Sequence, residues 1–151
     1  MAFVLVQHLD PKHESMLTEL ISRSTRMPVL EVKHGMSIEQ DHVYVIPSNT
    51  TMTVHDHTSL LTAREETRGL HMAVDSFMRS LAEVQGHNAV GVILSGSGTD
   101  GTLGLAEIQA QGGVTFAQDE TTARHDGMPR SAIAARVAWT LCCRPARLPA
   151  S

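Results

Sequence analysis

Only two cysteines occur in the 151 residues, Cys142 and Cys143. Sequence neighbours cannot staple distant segments, which excludes a disulfide framework and leaves reduced thiols as the expected state. Long apolar runs are missing too: the stretch most like an anchor, Ala2 to Val6, is far too short to cross a bilayer, and no signal peptide is visible. Positive charge is not in excess. The formal net charge is -4 with the signs interspersed, so there is no basic stripe for nucleic acid. There is no repeat, low-complexity tract or linker at which to divide the chain. What remains is a soluble, cytoplasmic, single-domain expectation, and a hydrophobic content of 42% suffices for one substantial core.

Apolar, β-branched runs recur at Phe3 to Val6, Val29 to Val32, Val43 to Ile46, Ala89 to Leu94 and Gly113 to Ala117, and read as mostly buried strands. Between the first two, Leu17, Leu20, Ile21 and Ser24 recur at helical spacing within Glu14 to Ser24, with Pro11 as a helix start. Between the last two, Thr102 to Ala110 is helix-like and Gly112-Gly113 supplies its stop. Strands alternating with helices predict an α/β fold, a three-layer, mostly parallel, doubly wound sheet. Thr51 to Ala63 differs, because Met52 and Val54 and then Leu60 and Leu61 flank His55-Asp56-His57, the pattern of a small antiparallel hairpin.

The loop Leu94 to Gly101, L-S-G-S-G-T-D-G, joins a strand to a helix and supports two functions. Gly96, Gly98 and Gly101 satisfy the G-x-G-x-x-G pattern of a dinucleotide cradle, with Asp119 about 20 residues on as a ribose-binding acid. Against it, Asp100 lies inside the turn, where its carboxylate would meet a pyrophosphate, and several strands precede a motif that ordinarily opens a fold. The competing reading pairs Asp100 with His8, which follows the first strand directly. Both would lie at the C-terminal edge of a parallel sheet, where sites assemble. A carboxylate that orients a histidine equips it to take a proton from a nucleophile. The plainer alternative has His8 hydrogen-bonding at a strand end and Asp100 capping the following helix.

Resemblance separates these. V-Q-H-L-D-P (Val6 to Pro11), H-V-Y-V-I-P (His42 to Pro47), L-S-G-S-G-T-D-G, F-A-Q-D (Phe116 to Asp119) and G-M-P-R-S-A (Gly127 to Ala132) resemble, in order and spacing, the chemotaxis protein-glutamate methylesterase (CheB-type) catalytic domain. Val74-Asp75-Ser76-Phe77 resembles a further family segment. The wording around His71, Arg79 to Gln85 and Thr102 to Leu105 is closest to methylesterase-methyltransferase hybrid proteins. The resemblance covers Ala2 to Val137, giving a catalytic domain over residues 1–137 and an atypical tail over 138–151. It implies His8 as general base and Asp100 as its orienting acid. It also implies Ser97 and Gly98 as oxyanion or substrate-binding positions, Met128 lining the cleft, and no metal or organic cofactor. The implied partners are methylated chemoreceptor cytoplasmic helices, with a receiver domain or methyltransferase module upstream in a fuller protein. The implied chemistry is hydrolysis of glutamate methyl esters and deamidation of certain glutamines.

The family's nucleophile, the serine of a G-A-S-x-G-G turn, has no counterpart among these residues. Ser15, Ser48, Ser95 and Ser97 match no nucleophile motif and suit turn or cap roles. The first strand of the family fold is therefore expected to be missing. Negligible esterase activity of the chain alone follows, and so does self-association through an uncovered sheet edge. A binding remnant without catalysis is the rival from another class. The tail departs from the family's V-D-x-V-L-P-P. Read from the last base of the Trp139 codon, the codons that follow can supply the family's ending, so a single-base frame change near Ala138 is expected, with Trp139 and both cysteines accidental. His55 and His57 could share a strand face, but no third ligand joins them at recognisable spacing.

Overall fold

A computed structural model describes residues 1–7, 16–63 and 72–141. His8, Pro11, His71, Cys142 and Cys143 lie outside the described residues. The chain is a three-layer α/β arrangement with two parallel sheets and one antiparallel pair. In the first sheet the strands β1 (Phe3–Leu5), β2 (Val29–Glu31) and β3 (Val43–Val45) lie in the order β1-β3-β2, with helix α1 (Leu17–Ser22) between β1 and β2 in sequence. The hairpin β4 (Thr50–His55) and β5 (Thr58–Ala63) follows. Its turn residues Asp56 and His57 both have positive φ, at 44° and 61°, as a tight two-residue hairpin turn requires.

The second sheet takes β6 (Val90–Ile93), β7 (Val114–Gln118) and β8 (Trp139–Leu141) in that order, all parallel. Between its strands run α3 (Thr102–Ala110) and α4 (Gly127–Ala134), and α2 (Ala73–Gln85) precedes it. The boundaries expected for α3, the hairpin and the five apolar strands agree with these to within a residue or two. Helices α2 and α4, the 3-10 turn Gly86–Asn88 and strand β8 are not among the elements expected from the sequence. The last begins in the tail expected to be atypical, pairing Phe116 with Trp139 and Gln118 with Leu141.

One core joins these parts. Val32, Tyr44 and Ile46 from the first sheet, Met52 and Val54 from the hairpin, Phe77 and Met78 from α2, and Ile93, Leu105, Ile108 and Ala117 from the second sheet and α3 form a single buried cluster. Alternation in β6 sends Gly91 and Ile93 inward and Val90 and Val92 outward, and β7 buries Thr115 and Ala117 in the same way. Glycine at 91 lets Leu105 and Ile108 of α3 lie directly on the strand. On the opposite face Val90, Val92, Leu94, Val114 and Trp139 are exposed. Among the described residues no helix is long and apolar enough to cross a membrane.

Helices α2 and α3 meet most closely at Gly104, where a Cβ would stand 2.5 Å from Met78 Cβ and 3.2 Å from Asp75 Cα. The second contact is with backbone and cannot swing aside. In Gly104→Ala the overpacking costs about 1–3 kcal/mol, against a gain in helix propensity of about 1 kcal/mol. The expected outcome is a net loss of about 1 kcal/mol in urea unfolding, with an unchanged or stabilised variant as the contrary result.

Candidate active site

The loop after β6 is stitched down at several points. Ser95 N–H donates to Gln118 Oε1 at the end of β7 (2.9 Å), while Ser95 Oγ accepts from His125 N–H (2.9 Å). Gly96 N–H donates to His125 O (2.9 Å), and Gly96 O accepts from Met128 N–H (2.8 Å) in the first turn of α4. The loop is thereby fixed between β7 and α4. Ser97, Gly98 and Thr99 form its exposed tip. Gly98 and Gly101 both have positive φ, at 85° and 93°, and at Gly101 the Ile93 side chain also leaves no room for a Cβ. Met128 packs under Gly96 and is only 8% exposed, so packing accounts for much of its surface.

Asp100 turns inward from this loop and is 5% exposed. Its Oδ2 accepts from Val74 N–H (3.0 Å) and its Oδ1 from Asp75 N–H (2.9 Å). These are the second and third residues of α2, so the carboxylate caps a helix start, where orphan amides and the helix dipole favour an anion. The cap is not the one expected from sequence, since Asp100 serves the preceding helix rather than α3. Helix α3 follows Gly101, whose position offers no side-chain cap. It receives one from across the interface: Asp75 Oδ1 accepts from Gly104 N–H at 2.6 Å.

Two helix starts thus exchange carboxylates. Asp75 is 3% exposed, and its Oδ2 is buried with no hydrogen-bond partner. Burial pushes the Asp75 carboxyl above its ordinary value of 3.8; the Gly104 amide pulls it down and the Asp100 charge pushes it up again. In the sequence Asp75 stands out only as part of a family segment, although an acid in the first turn of an amphipathic stretch is the ordinary signature of a helix start.

The dinucleotide reading fares poorly against this geometry. An amide in the first turn of α3 that would greet a pyrophosphate already carries Asp75, and Asp119 closes its own turn by accepting from Thr121 N–H (2.8 Å) and Thr121 Oγ1 (2.7 Å). The Thr121 hydroxyl and then its amide hold the Asp119 carboxyl below its ordinary value. His57 takes part in a contact with Gln85 (3.2 Å), and among the described residues no group of three or more His, Cys, Asp or Glu could hold a metal.

Comparison with known proteins points one way. The family model described as CheB methylesterase matches residues 1–151. A protein-glutamate methylesterase/protein-glutamine glutaminase of Photorhabdus laumondii is 35% identical over 136 residues, covering 87% of this chain and 39% of that protein. A like-named protein of Pyrococcus horikoshii is 33% identical over 134 residues, covering 86% and 36%. An uncharacterised 104.1 kDa protein of Rhodobacter capsulatus is 45% identical over 118 residues, 78% of this chain but 12% of its own length. The crystal structure of the Thermotoga maritima CheB methylesterase catalytic domain superposes with a TM-score of 0.78 at 26% identity, over 91% of this chain and 75% of that one. The chain thus spans well under half the length of these curated relatives.

Two predictions follow from the exchanged carboxylates. Asp100→Ala strips two amides of a charged acceptor, and a loss of about 2–3 kcal/mol is expected in chemical unfolding; a loss below about 0.5 kcal/mol, the level of an ordinary surface change, contradicts the capping role. The Asp75 carboxyl binds its proton more tightly folded than unfolded. Its contribution is therefore most favourable below 3.8 and declines as pH rises through the raised folded value. Asp75→Asn removes that decline, so variant stability relative to wild type should increase with pH across that window, and unfolding curves at about pH 3.5 and about pH 7 measure it.

Proposed function

The chain belongs to the CheB methylesterase family, and from that premise we propose that it supplies the histidine and the aspartate of a Ser-His-Asp hydrolase acting on protein glutamate methyl esters. The observation that carries the reading is Asp100, held rigidly inward by the first amides of α2 at the C-terminal end of β6. In the sequence His8 follows the last residue of β1 by three positions. In this reading Asp100 fixes the tautomer of His8 and stabilises its protonated form.

The reaction has an acylation half and a deacylation half. His8 takes the proton of a serine hydroxyl as the serine oxygen bonds to the ester carbonyl carbon. The resulting oxyanion is met by backbone N–H groups of the exposed loop tip at Ser97 and Gly98. Collapse breaks the bond to the methoxy group, which leaves as methanol with the proton from His8. Water, deprotonated by the same histidine, bonds to the acyl carbon; the bond to the serine oxygen then breaks, that oxygen takes the proton back from His8, and glutamate is released. A glutamine side chain follows the same course with ammonia as leaving group. The substrates in this reading are the cytoplasmic helices of methylated chemoreceptors, and the serine comes from a segment of a longer polypeptide, alongside a receiver domain or methyltransferase module. Ser95 is a poor substitute, since its hydroxyl is engaged by the His125 amide.

A second reading, partner binding without catalysis, draws on the apolar face of Val90, Val92, Leu94, Val114 and Trp139, because contiguous exposed apolar surface marks interaction sites. A fluorophosphonate serine probe separates the two. The 151-residue chain alone should remain unlabelled. The longer polypeptide carrying the upstream segment should label and release methanol from methylated receptor, on the order of 10⁶ faster than without its serine. Labelling of the short chain, or silence of the longer one, goes against the hydrolase assignment.

A further inference from the structure

Asp75 belongs to no step above, yet it makes both halves of the helix exchange. Its backbone N–H donates to Asp100 Oδ1 and its side-chain Oδ1 accepts from Gly104 N–H. Asp100 and Gly104 are four residues apart along the chain. The path from Asp75 N–H through the Asp100 carboxylate, along the backbone to Gly104 and back to the Asp75 carboxylate is therefore a closed ring. Inside it lies the sharp turn at Gly101, with φ of 93°, which sets the direction in which Asp100 leaves the chain. A ring of this size has few ways to relax: if Asp100 rotates, Gly104 must slide along α2, and Gly104 is already against the Asp75 backbone.

A serine or threonine would cap α3 without stranding a buried oxygen. The acid at 75 instead leaves Oδ2 without a hydrogen bond and buries a carboxyl beside the like charge of Asp100, a burden that the Gly104 and Gly101 amides and the Arg79 charge offset only in part, so the arrangement costs stability. Such costs concentrate where geometry is held for function. We propose that Asp75 is a positioning residue for the reaction, fixing the plane of the Asp100 carboxylate by closing this ring. The proposal rests on the hydrolase reading for its consequence in rate, but not for its structural content.

The geometry assigns the role to the Oδ1 acceptor, so Asp75→Ala opens the ring and Asp75→Asn keeps it. In the longer polypeptide that carries the upstream segment, Asp75→Ala should lower kcat for methyl-ester hydrolysis by about tenfold or more with KM within about twofold, the pattern of lost transition-state geometry. Asp75→Asn should restore kcat to within about threefold of wild type, which a loss of general stability would not produce. In parallel, amide exchange in the 151-residue chain reads the ring itself. Protection of the Val74 and Asp75 amides should fall in Asp75→Ala and persist in Asp75→Asn. A folded Asp75→Ala protein with unchanged kcat, or with unchanged protection of both amides, overturns the proposal. So does an Asn variant as impaired as the Ala one. If wild type hydrolyses nothing, the hydrolase reading fails while the exchange measurement still decides the ring.

Discussion

The exchange of carboxylates between the starts of α2 and α3 is the constraint on which the arrangement of the site depends. A helix start presents amides that the helix's own carbonyls cannot satisfy, and inside a protein each amide left bare is costly. Here the two starts solve the problem for each other, Asp100 serving α2 and Asp75 serving α3. The solution requires the helices to approach within a glycine's width at residue 104, and it draws Asp100 inward out of an otherwise exposed loop. Packing, capping and the direction of one carboxylate are thus a single fact seen from three sides.

Much of the fold is legible in the sequence because its signals are local. The β-branched runs at Val43 to Val45 and Val90 to Ile93, the turn between β4 and β5, and the glycine stop after α3 each act over a few residues. Helix α2 carries a legible signal too, since Val74, Phe77, Met78, Leu81 and Ala82 recur at helical spacing, although the family motif at Val74 to Phe77 overlies it. Helix α4 opens with Gly127-Met128-Pro129, residues that suggest a turn although proline is tolerated in a first helical turn. The strand β8 is three residues long and carries an exposed Trp139, so it offers no burial pattern to read.

The candidate site was legible in part. Asp100 stands out in the sequence because an acid inside a glycine-rich turn is out of place beside a phosphate, and in the structure its carboxylate is taken up by the first amides of α2. Its partners were not visible. Val74 and Asp75 lie 26 and 25 residues away and offer only backbone N–H groups, which every residue but proline possesses, so no sequence pattern marks them. The same holds for the carbonyl of His125, which accepts from Gly96 N–H, whereas Gln118 holds the loop through its side-chain Oε1, which accepts from Ser95 N–H across 23 residues.

Helix α2 also reaches the hairpin. Just past its midpoint Ser80 Oγ accepts from Val54 N–H of β4 at 3.0 Å, in a buried setting shared with Met52 and Phe77, and at its last residue Gln85 contacts His57 of the hairpin turn at 3.2 Å. Over its 13 residues the helix is a rod of about 20 Å, gripped by the hairpin towards one end and by Asp100 at the other. The hairpin is in that sense the handle of a lever. A tilt imposed on β4 and β5 at the surface is delivered, by a body too stiff to absorb it, to the two amides that aim the acid.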